Sequence, residues 1–220
     1  MLRLNFIFVA LFFAAPAPHA FGSLAAASQS ARVVDRIVAR IEGDIILQSQ
    51  VSELGALQQL IDGRAESDDK LLVELIEQWV VQTEATAGHF PQPAQSEVDR
   101  ELQRLQDSFG SSEKYAARLK ELGLTPDQVR RLLSRQIYVE RYVDYKFRPS
   151  VQIEPADIDA YYKNELLPEL AKKNQPAPAR SAVEDEIREV LAQRQISDLT
   201  GKWLDDTKSR LKIEIANGKP

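Results

Sequence analysis

The sequence predicts a mostly α fold in which a small antiparallel sheet joins the two ends of a helical chain. Short runs of alternating apolar and polar residues stand near both ends, over 33–47 and over 210–215. Between these runs, apolar residues recur at helical spacing. Because an isolated two-stranded hairpin is marginal in water, the hairpin near the start needs the terminal strand as its partner.

Residues 1–27 are typical of a secretory signal peptide. Arg3 precedes an apolar run rich in Phe, Leu and Ala, and small residues follow it. The apolar run is too short to span a bilayer. We expect cleavage after Ala27, with Ala20 as the alternative, which leaves residues 28–220 as the mature domain.

The amino-acid composition limits which partners and which cellular compartment we expect for the protein. The chain has no cysteine, so an exported protein would lack disulfides and the lipid that a bacterial lipoprotein attaches to a cysteine. Its formal charge is −5 and it has no basic patch, so nucleic acid is not an expected partner. We expect release without stable membrane insertion, which in a bacterium with two membranes means a periplasmic location.

The first two helices are predicted from caps and breakers. Ser49 is the expected cap of a helix that continues to Gly55 or beyond. A polar stretch over 62–69 separates it from a second helix. That helix covers 70–81, where the apolar residues recur at helical spacing, and Gly88 ends it.

Residues 95–123 predict a helical hairpin, which we call the arm. Ser96 opens the first helix, Gly110 ends it, and Gly123 ends the second helix. The apolar positions of the arm form a narrow stripe surrounded by charge: Val98, Leu102, Leu105, Phe109, Tyr115, Leu119 and Leu122. Two interpretations stay open, a stripe that packs in the core and a stripe that is partly exposed for recognition.

The next helix has the clearest start in the chain. In Thr125–Gln128 the threonine caps, the proline takes the first helical position, and the glutamine completes a capping box. The helix is expected to end before Pro149. Tyr138, Tyr142 and Tyr145 recur on one side of it, which is typical of an aromatic core stripe; an exposed groove for apolar segments is the alternative.

The last third of the chain predicts two more helices and a strand. A helix that begins near Pro155 leads to a connector over 166–180, whose two central prolines forbid a helix interior. Ser181 and Glu184 have the spacing of a capping box, and the helix they open is expected to run past Lys208. The final strand alternates three apolar residues with two charged ones: Leu211, Ile213 and Ile215 with Lys212 and Glu214.

The sequence lacks the residue patterns that catalysis usually requires, so we expect neither enzymatic activity nor a cofactor. After the leader the only histidine is His89, in a loop between glycine and prolines. No nucleophile elbow and no glycine-rich phosphate loop is present. Metal sites of the Cys/His type lack ligands, and the clustered acids are typical of solvated helix ends.

Three segments together resemble the SurA family of periplasmic chaperones. Residues 34–51 resemble the family's opening hairpin, and 156–162 resemble the segment that leads into its parvulin-type prolyl isomerase domain. Residues 183–191, through Trp203 and Leu204 to 211–215, resemble its closing helix and strand. The resemblance covers nearly the whole mature chain and implies that residues 28–220 form a chaperone core.

Two departures from the family pattern matter. Glu42 stands where the family usually has Asn, which affects the turn. The connector over 166–180 stands where the parvulin domain would be inserted, and it is far too short for a domain. The family's isomerase pocket uses histidines with a Cys or Asp, and this chain has no histidine beyond His89. Prolyl isomerase activity is therefore not expected.

The resemblance implies an ATP-independent holdase that binds unfolded exported polypeptides, in particular outer-membrane protein precursors. The two apolar stripes supply the candidate client-contact residues: Leu102, Leu105, Phe109, Tyr115, Leu119, Tyr138, Tyr142 and Tyr145. A non-catalytic adaptor that binds one specific folded partner is the alternative function, and a degenerate isomerase is a third. If the terminal strand came from a second chain, the protein would be a domain-swapped dimer.

Overall fold

The sheet predicted from the two ends of the chain is present. A computed structural model describes residues 35–216, so the expected signal peptide lies outside the described residues. Strands β1 (Ile37–Ile41), β2 (Asp44–Leu47) and β3 (Ile213–Ile215) form an antiparallel sheet in the order β2-β1-β3. The central strand thus pairs with the terminal strand of the same chain, and the sheet closes without a second copy.

The hairpin turn fixes the terminal strand as well as the hairpin. Glu42 has a φ of 56°, in the left-handed region where Asn is favoured over Glu. Its side chain compensates, because the Lys212 backbone N–H donates to Glu42 Oε1 at 2.8 Å. The Glu42 N–H in turn donates to the Lys212 carbonyl at 3.0 Å. The Glu42 side chain therefore ties the start of β3 to the turn.

The inner face of the sheet packs on the first two helices, α1 (Gln48–Asp62) and α2 (Asp68–Ala87). The buried members of this cluster come from all of these elements: Val38, Ala39, Ile41, Ile46, Val51, Leu54, Leu71, Leu72, Leu75 and Ile76. The cluster is entirely apolar, which is how a chain without disulfides is stabilised.

The start of α1 differs from the prediction. The cap residue is Leu47 and the helix begins at Gln48, so Ser49 lies in the first turn and is not the cap. Its hydroxyl instead donates to the Asp35 carboxylate, which also accepts from the Ser49 backbone N–H. The strand β2 runs directly into the helix and leaves no loop residue for a conventional cap. The predicted end of α2 at Gly88 is confirmed.

Helices α3 (Gln95–Ser108) and α4 (Ser112–Leu122) form the predicted helical hairpin. The cap position before α3 is Ala94, so Ser96 does not cap it. Gly123 ends α4 with a φ of 67°, a left-handed conformation that glycine adopts without strain.

Helix α5 (Pro126–Phe147) starts as predicted. The Gln128 N–H donates to Thr125 Oγ1 at 3.2 Å, and the Thr125 N–H donates to Gln128 Oε1 at 2.8 Å. Both hydrogen bonds of the capping box are therefore formed. The helix ends before Pro149, in a short 3-10 turn over Arg148–Ser150.

The hairpin of α3 and α4 packs on the body and does not project from it. Its buried residues share one apolar cluster with α1 and α5: Leu57, Leu60, Leu102, Tyr115, Leu119, Leu124, Val129, Leu132 and Leu133. The stripe is narrow because it packs against one cluster, formed with α1 and α5. The apolar stripe of 95–123 therefore packs in the core, which is the first of the two interpretations that the sequence left open.

The connector over 166–180 is partly helical, in contrast to the predicted extended segment. Helix α6 (Pro155–Tyr161) continues through a π-helical turn, Tyr162–Leu166, into α7 (Leu167–Lys172). Pro168 stands in the first turn of α7, directly after the π-helical turn, and lacks the N–H that a regular helix would donate to that preceding turn. The non-helical part begins only after α7 and contains the two central prolines.

Helix α8 (Glu184–Arg210) runs past Lys208 as predicted, but its start is different. Val183 is the cap residue and a 3-10 turn over Arg180–Ala182 precedes it, so the expected capping box at Ser181 is not formed. In the described part of the chain, 35–216, no helix is long and apolar enough to cross a membrane.

Candidate functional site: an apolar groove between four helices

An open groove of about 410 Å³ lies between α1, α2, α5 and α8. This volume is within the usual range for ligand sites, roughly 300–1,000 Å³. Apolar side chains from all four helices line it: Leu54, Leu57, Ile61, Val81, Leu132, Val139, Val143 and Leu204. The groove, which we call the central groove, is thus an apolar surface that the helix packing leaves uncovered.

Three of the apolar lining residues are accessible from solvent. The Ile61 side chain, at the end of α1, is 44 % exposed. Val139 and Val143 lie four residues apart on α5 and are half-buried, so their methyl groups share one face of that helix. The deeper residues, such as Leu57 and Val81, are buried and form the floor. An apolar side chain that entered the groove would meet these three residues first.

A carboxylate without a cationic partner stands in the groove wall. The Gln58 Nε2 amide donates to Glu74 Oε2 at 2.8 Å, and the Gln78 Nε2 amide donates to Glu74 Oε1 at 3.2 Å. None of the salt bridges among residues 35–216 includes Glu74. Burial, opposed by these two hydrogen bonds, raises the pKa of Glu74 above its ordinary value. The wall is therefore polar where α1 meets α2.

The remaining charges of the groove are mostly acidic. Glu77 is compensated, because Lys208 Nζ lies 2.7 Å from Glu77 Oε1. Glu140 accepts only from the neutral Gln136 amide, at 3.0 Å, among the hydrogen bonds of the described residues. Asp62 and Arg135 also line the groove. The rim therefore surrounds an apolar floor with charge that is more negative than positive.

A second surface, the aromatic shelf, is built from Phe90, Tyr138, Tyr142 and Tyr145. The Phe90 ring lies 5.3 Å from the rings of both Tyr142 and Tyr145 and 5.8 Å from that of Tyr138, measured between ring centroids. The Arg141 guanidinium lies over the Phe90 ring, 5.7 Å from its centroid. Tyr145 is 67 % exposed, so only the outer edge of this cluster is open to solvent.

The hydroxyls of the two inner tyrosines are used within the fold. Tyr138 Oη donates to the Phe90 carbonyl at 3.3 Å, and Tyr142 Oη donates to Glu84 Oε1 at 3.0 Å. Burial and the adjacent Glu84 carboxylate raise the pKa of Tyr142 to about 12. These contacts are typical of a tyrosine that stabilises a core, as the commoner interpretation of the stripe predicted.

The structure buries most of the residues that the sequence offered as client contacts. Leu102, Tyr115, Leu119, Tyr138 and Tyr142 are all buried, which favours the core interpretation that the sequence left open for both stripes. Leu105 and Phe109 are half-buried and pack against the cluster that contains the buried residues of the helical hairpin. Tyr145 alone of the eight is mostly exposed. The arm stripe and the tyrosine stripe do not meet in one site.

Sequence reasoning missed the central groove, whose accessible residues are Ile61, Val139 and Val143. A sign of it was present in α5, which carries apolar residues on more than one side. Leu132, Val139 and Val143 recur at helical spacing and form a face of their own. A helix with two apolar faces must contact two neighbours or leave one face uncovered. Both outcomes occur in part here: Leu132 is buried, whereas Val139 and Val143 pack partly against the cluster shared with α2 and α8 and keep part of their surface at the groove mouth.

Groups that could carry other chemistry are dispersed. His89 is exposed in its loop and has a φ of 52°. Within residues 35–216, no group of three or more His, Cys, Asp or Glu side chains could hold a metal ion.

Fold and site together define a helical domain whose termini meet in a small sheet and whose helices enclose an open apolar groove with a polar, mainly acidic rim. Comparison with known proteins adds no family to this description: no family model matches the chain, and no curated protein matches it.

Proposed function

We propose that this protein is an ATP-independent periplasmic holdase that binds unfolded exported polypeptides, in particular outer-membrane protein precursors, without prolyl isomerase activity. The observation that carries the proposal is the central groove, an apolar groove whose mouth is open to solvent and rimmed by polar groups. An unfolded chain exposes apolar side chains that a folded partner buries, and such side chains are the natural occupants of this groove.

The groove suits weak and reversible binding. Burial of apolar surface contributes roughly 25 cal/mol per Å², and the loss of translational and conformational freedom opposes it. A shallow groove that takes a few side chains therefore supports modest affinity for many sequences.

Other features agree with export and with passive holding. The leader-like residues 1–27 and the absence of cysteine suit a protein that works outside the cytoplasm without disulfides. The connector after α7 is a short non-helical segment, which supports the expectation that no isomerase domain is inserted there. The named client class rests on the resemblance of the terminal segments to periplasmic chaperones.

Aggregation of a denatured outer-membrane protein, followed by light scattering, tests the proposal. The variant Val139→Thr/Val143→Thr keeps the side-chain shape and places two hydroxyls at the mouth of the groove. We expect the wild-type protein to suppress aggregation at stoichiometric amounts and this double variant to suppress it markedly less. The matched control is Val73→Thr, because Val73 is 45 % exposed on α2 and does not line the groove.

Two results would contradict the proposal. If the wild-type protein protects no client, the holdase function is wrong, and an adaptor with one folded partner becomes the better hypothesis. If it protects clients but the groove variant protects as well as Val73→Thr does, the groove is not the binding surface. Circular dichroism of each variant shows whether its helices are intact.

A further inference from the structure

We propose that the central groove selects apolar segments that carry basic residues at their flanks. This inference deepens the proposed function and rests on it, because it names the class of segment that the holdase prefers. Charge complementarity at the rim carries the argument. The occupant is an unfolded polypeptide segment with Lys or Arg beside a short apolar run.

The rim carboxylates are free to meet a cation from the client. Among the salt bridges of residues 35–216, none includes Asp62, Glu74 or Glu140. The nearest compensated acid is Glu77, whose charge Lys208 already balances. A carboxylate that has only amide partners in the fold can gain a charge-assisted hydrogen bond when a ligand brings an ammonium or guanidinium group.

The placement of these acids matches the flanks of a bound segment. Glu74 belongs to the α2 wall, Asp62 to the end of α1, and Glu140 to α5, so the apolar floor is bordered by carboxylates from three helices. Arg135 is the one cationic side chain among the residues that line this groove in the described part of the chain. A segment with acidic flanks would face like charge at most points of the rim.

Desolvation strengthens the preference at Glu74. Its carboxylate is half-buried between α1 and α2 and is held by the Gln58 and Gln78 amides. A charge in such a position interacts more strongly with a ligand than a fully solvated charge does, because water screens it less. An incoming Lys or Arg would therefore be attracted into the groove as well as to its edge.

Glu140 extends the acidic border towards the aromatic shelf. It lines both the central groove and the open pocket of about 670 Å³ beside Phe90 and Tyr145. A segment longer than the groove would pass this carboxylate before it reached the exposed Tyr145 ring. A basic residue at that point would meet opposite charge.

Three fluorescent peptides test the inference. They share one apolar core, which is flanked on both sides by two Lys in the first peptide, two Ser in the second and two Glu in the third. Fluorescence anisotropy with the full-length mature protein measures each dissociation constant. We expect the Lys-flanked peptide to bind at least about fivefold more tightly than the Glu-flanked one at low salt. The ratio should approach one at high salt, because mobile ions screen the rim.

Variants locate the preference. Glu74→Gln and Glu140→Gln should each lower the ratio between the Lys-flanked and Glu-flanked affinities. Glu186→Gln, which removes one charge from exposed α8 about 21 Å along that helix from the groove residue Thr200, should keep the ratio. A ratio that falls equally in all three variants would mean that only the net charge of the protein matters, and would overturn the inference.

The remaining outcomes separate this inference from the proposed function. If all three peptides bind with equal affinity, the groove holds apolar segments without charge selection, and only the inference is wrong. If the Glu-flanked peptide binds most tightly, the inference is also overturned. If none of the peptides binds, the proposed function fails together with it.

Discussion

At the scale of single residues, Glu74 shows how a half-buried carboxylate can reduce the stability of the fold that holds it. Its carboxylate is half-buried, has amide donors only, and has a pKa raised by burial. A raised carboxyl pKa means that the folded state binds the proton more tightly than the unfolded state does. Stability is therefore reduced above the folded pKa and rises as the pH falls towards the ordinary value of 4.5.

The variant Glu74→Gln should remove this effect. At pH 7 we expect a higher thermal midpoint than in the wild-type protein, because an amide carries no charge to desolvate. The difference should shrink as the pH is lowered towards 4.5, where the wild-type side chain takes up its proton. Thermal unfolding followed by circular dichroism at a series of pH values measures it. A lower midpoint at pH 7 would show that the charge of Glu74 stabilises the fold.

Tyr115 is the second residue of interest at this scale: the sequence left it open between client contact and core, and the structure buries it. Its ring lies 5.6 Å from that of Phe109, and its buried hydroxyl has no hydrogen-bond partner among residues 35–216. Tyr115→Phe removes that hydroxyl, so we expect the free energy of unfolding to stay the same or rise by up to about 1 kcal/mol. Tyr115→Ala should lower it by about 3–5 kcal/mol. Urea unfolding measures both changes. A Tyr115→Ala variant as stable as the wild type would contradict the core role of Tyr115.

At the scale of elements, β3 completes a sheet that the hairpin alone could not stabilise. Ala39 and Ile41 of β1, both fully buried, pair with Ile215 and Ile213. The strand has only three residues, but the residues at its two ends add hydrogen bonds. Lys212 bonds with Glu42 in the turn, and the Ala216 N–H donates to the Val38 carbonyl at 2.9 Å. In the order β2-β1-β3 the central strand therefore has a hydrogen-bonded partner on each side.

Truncation after Lys208 should therefore lower the thermal midpoint markedly. The shortened chain loses β3 and also Leu211, which packs against two of the apolar clusters. Truncation after Ala216 is the control, because it keeps the whole strand. Thermal unfolding of both proteins measures the effect. An unchanged midpoint in the shorter protein would contradict the pairing of the two ends, and light scattering would show whether a second chain supplies the strand instead.

Local chemistry explains which elements could be predicted. The capping box at Thr125 and the glycine ends at Gly88 and Gly123 depend on a few neighbouring residues, so the sequence alone indicates them. The caps proposed at Ser49 and Ser181 were wrong because the preceding segment, a strand in one case and a 3-10 turn in the other, runs directly into the helix.

At the scale of the whole molecule, the central groove depends on packing that no local pattern reports. Its accessible residues come from helices far apart in the sequence, such as Ile61 of α1 and Val143 of α5. The apolar stripe of 95–123 gave a misleading indication for the same reason, since a stripe looks alike whether a partner helix covers it or not. Exposure is a property of the assembled helices, and the tertiary structure is needed to assign it.

The central claim is that an unfolded client occupies the central groove, and site-specific crosslinking tests it most directly. The chain has no cysteine, so a single introduced cysteine is a unique attachment point for a photo-crosslinker. Ile61→Cys places it at the groove, and Val73→Cys places it outside; the native side chains are 44 % and 45 % exposed, which matches the two positions for accessibility. With a denatured outer-membrane protein, we expect strong crosslinking from position 61 and little from position 73. Equal yields from both positions, or a higher yield from position 73, would contradict the account.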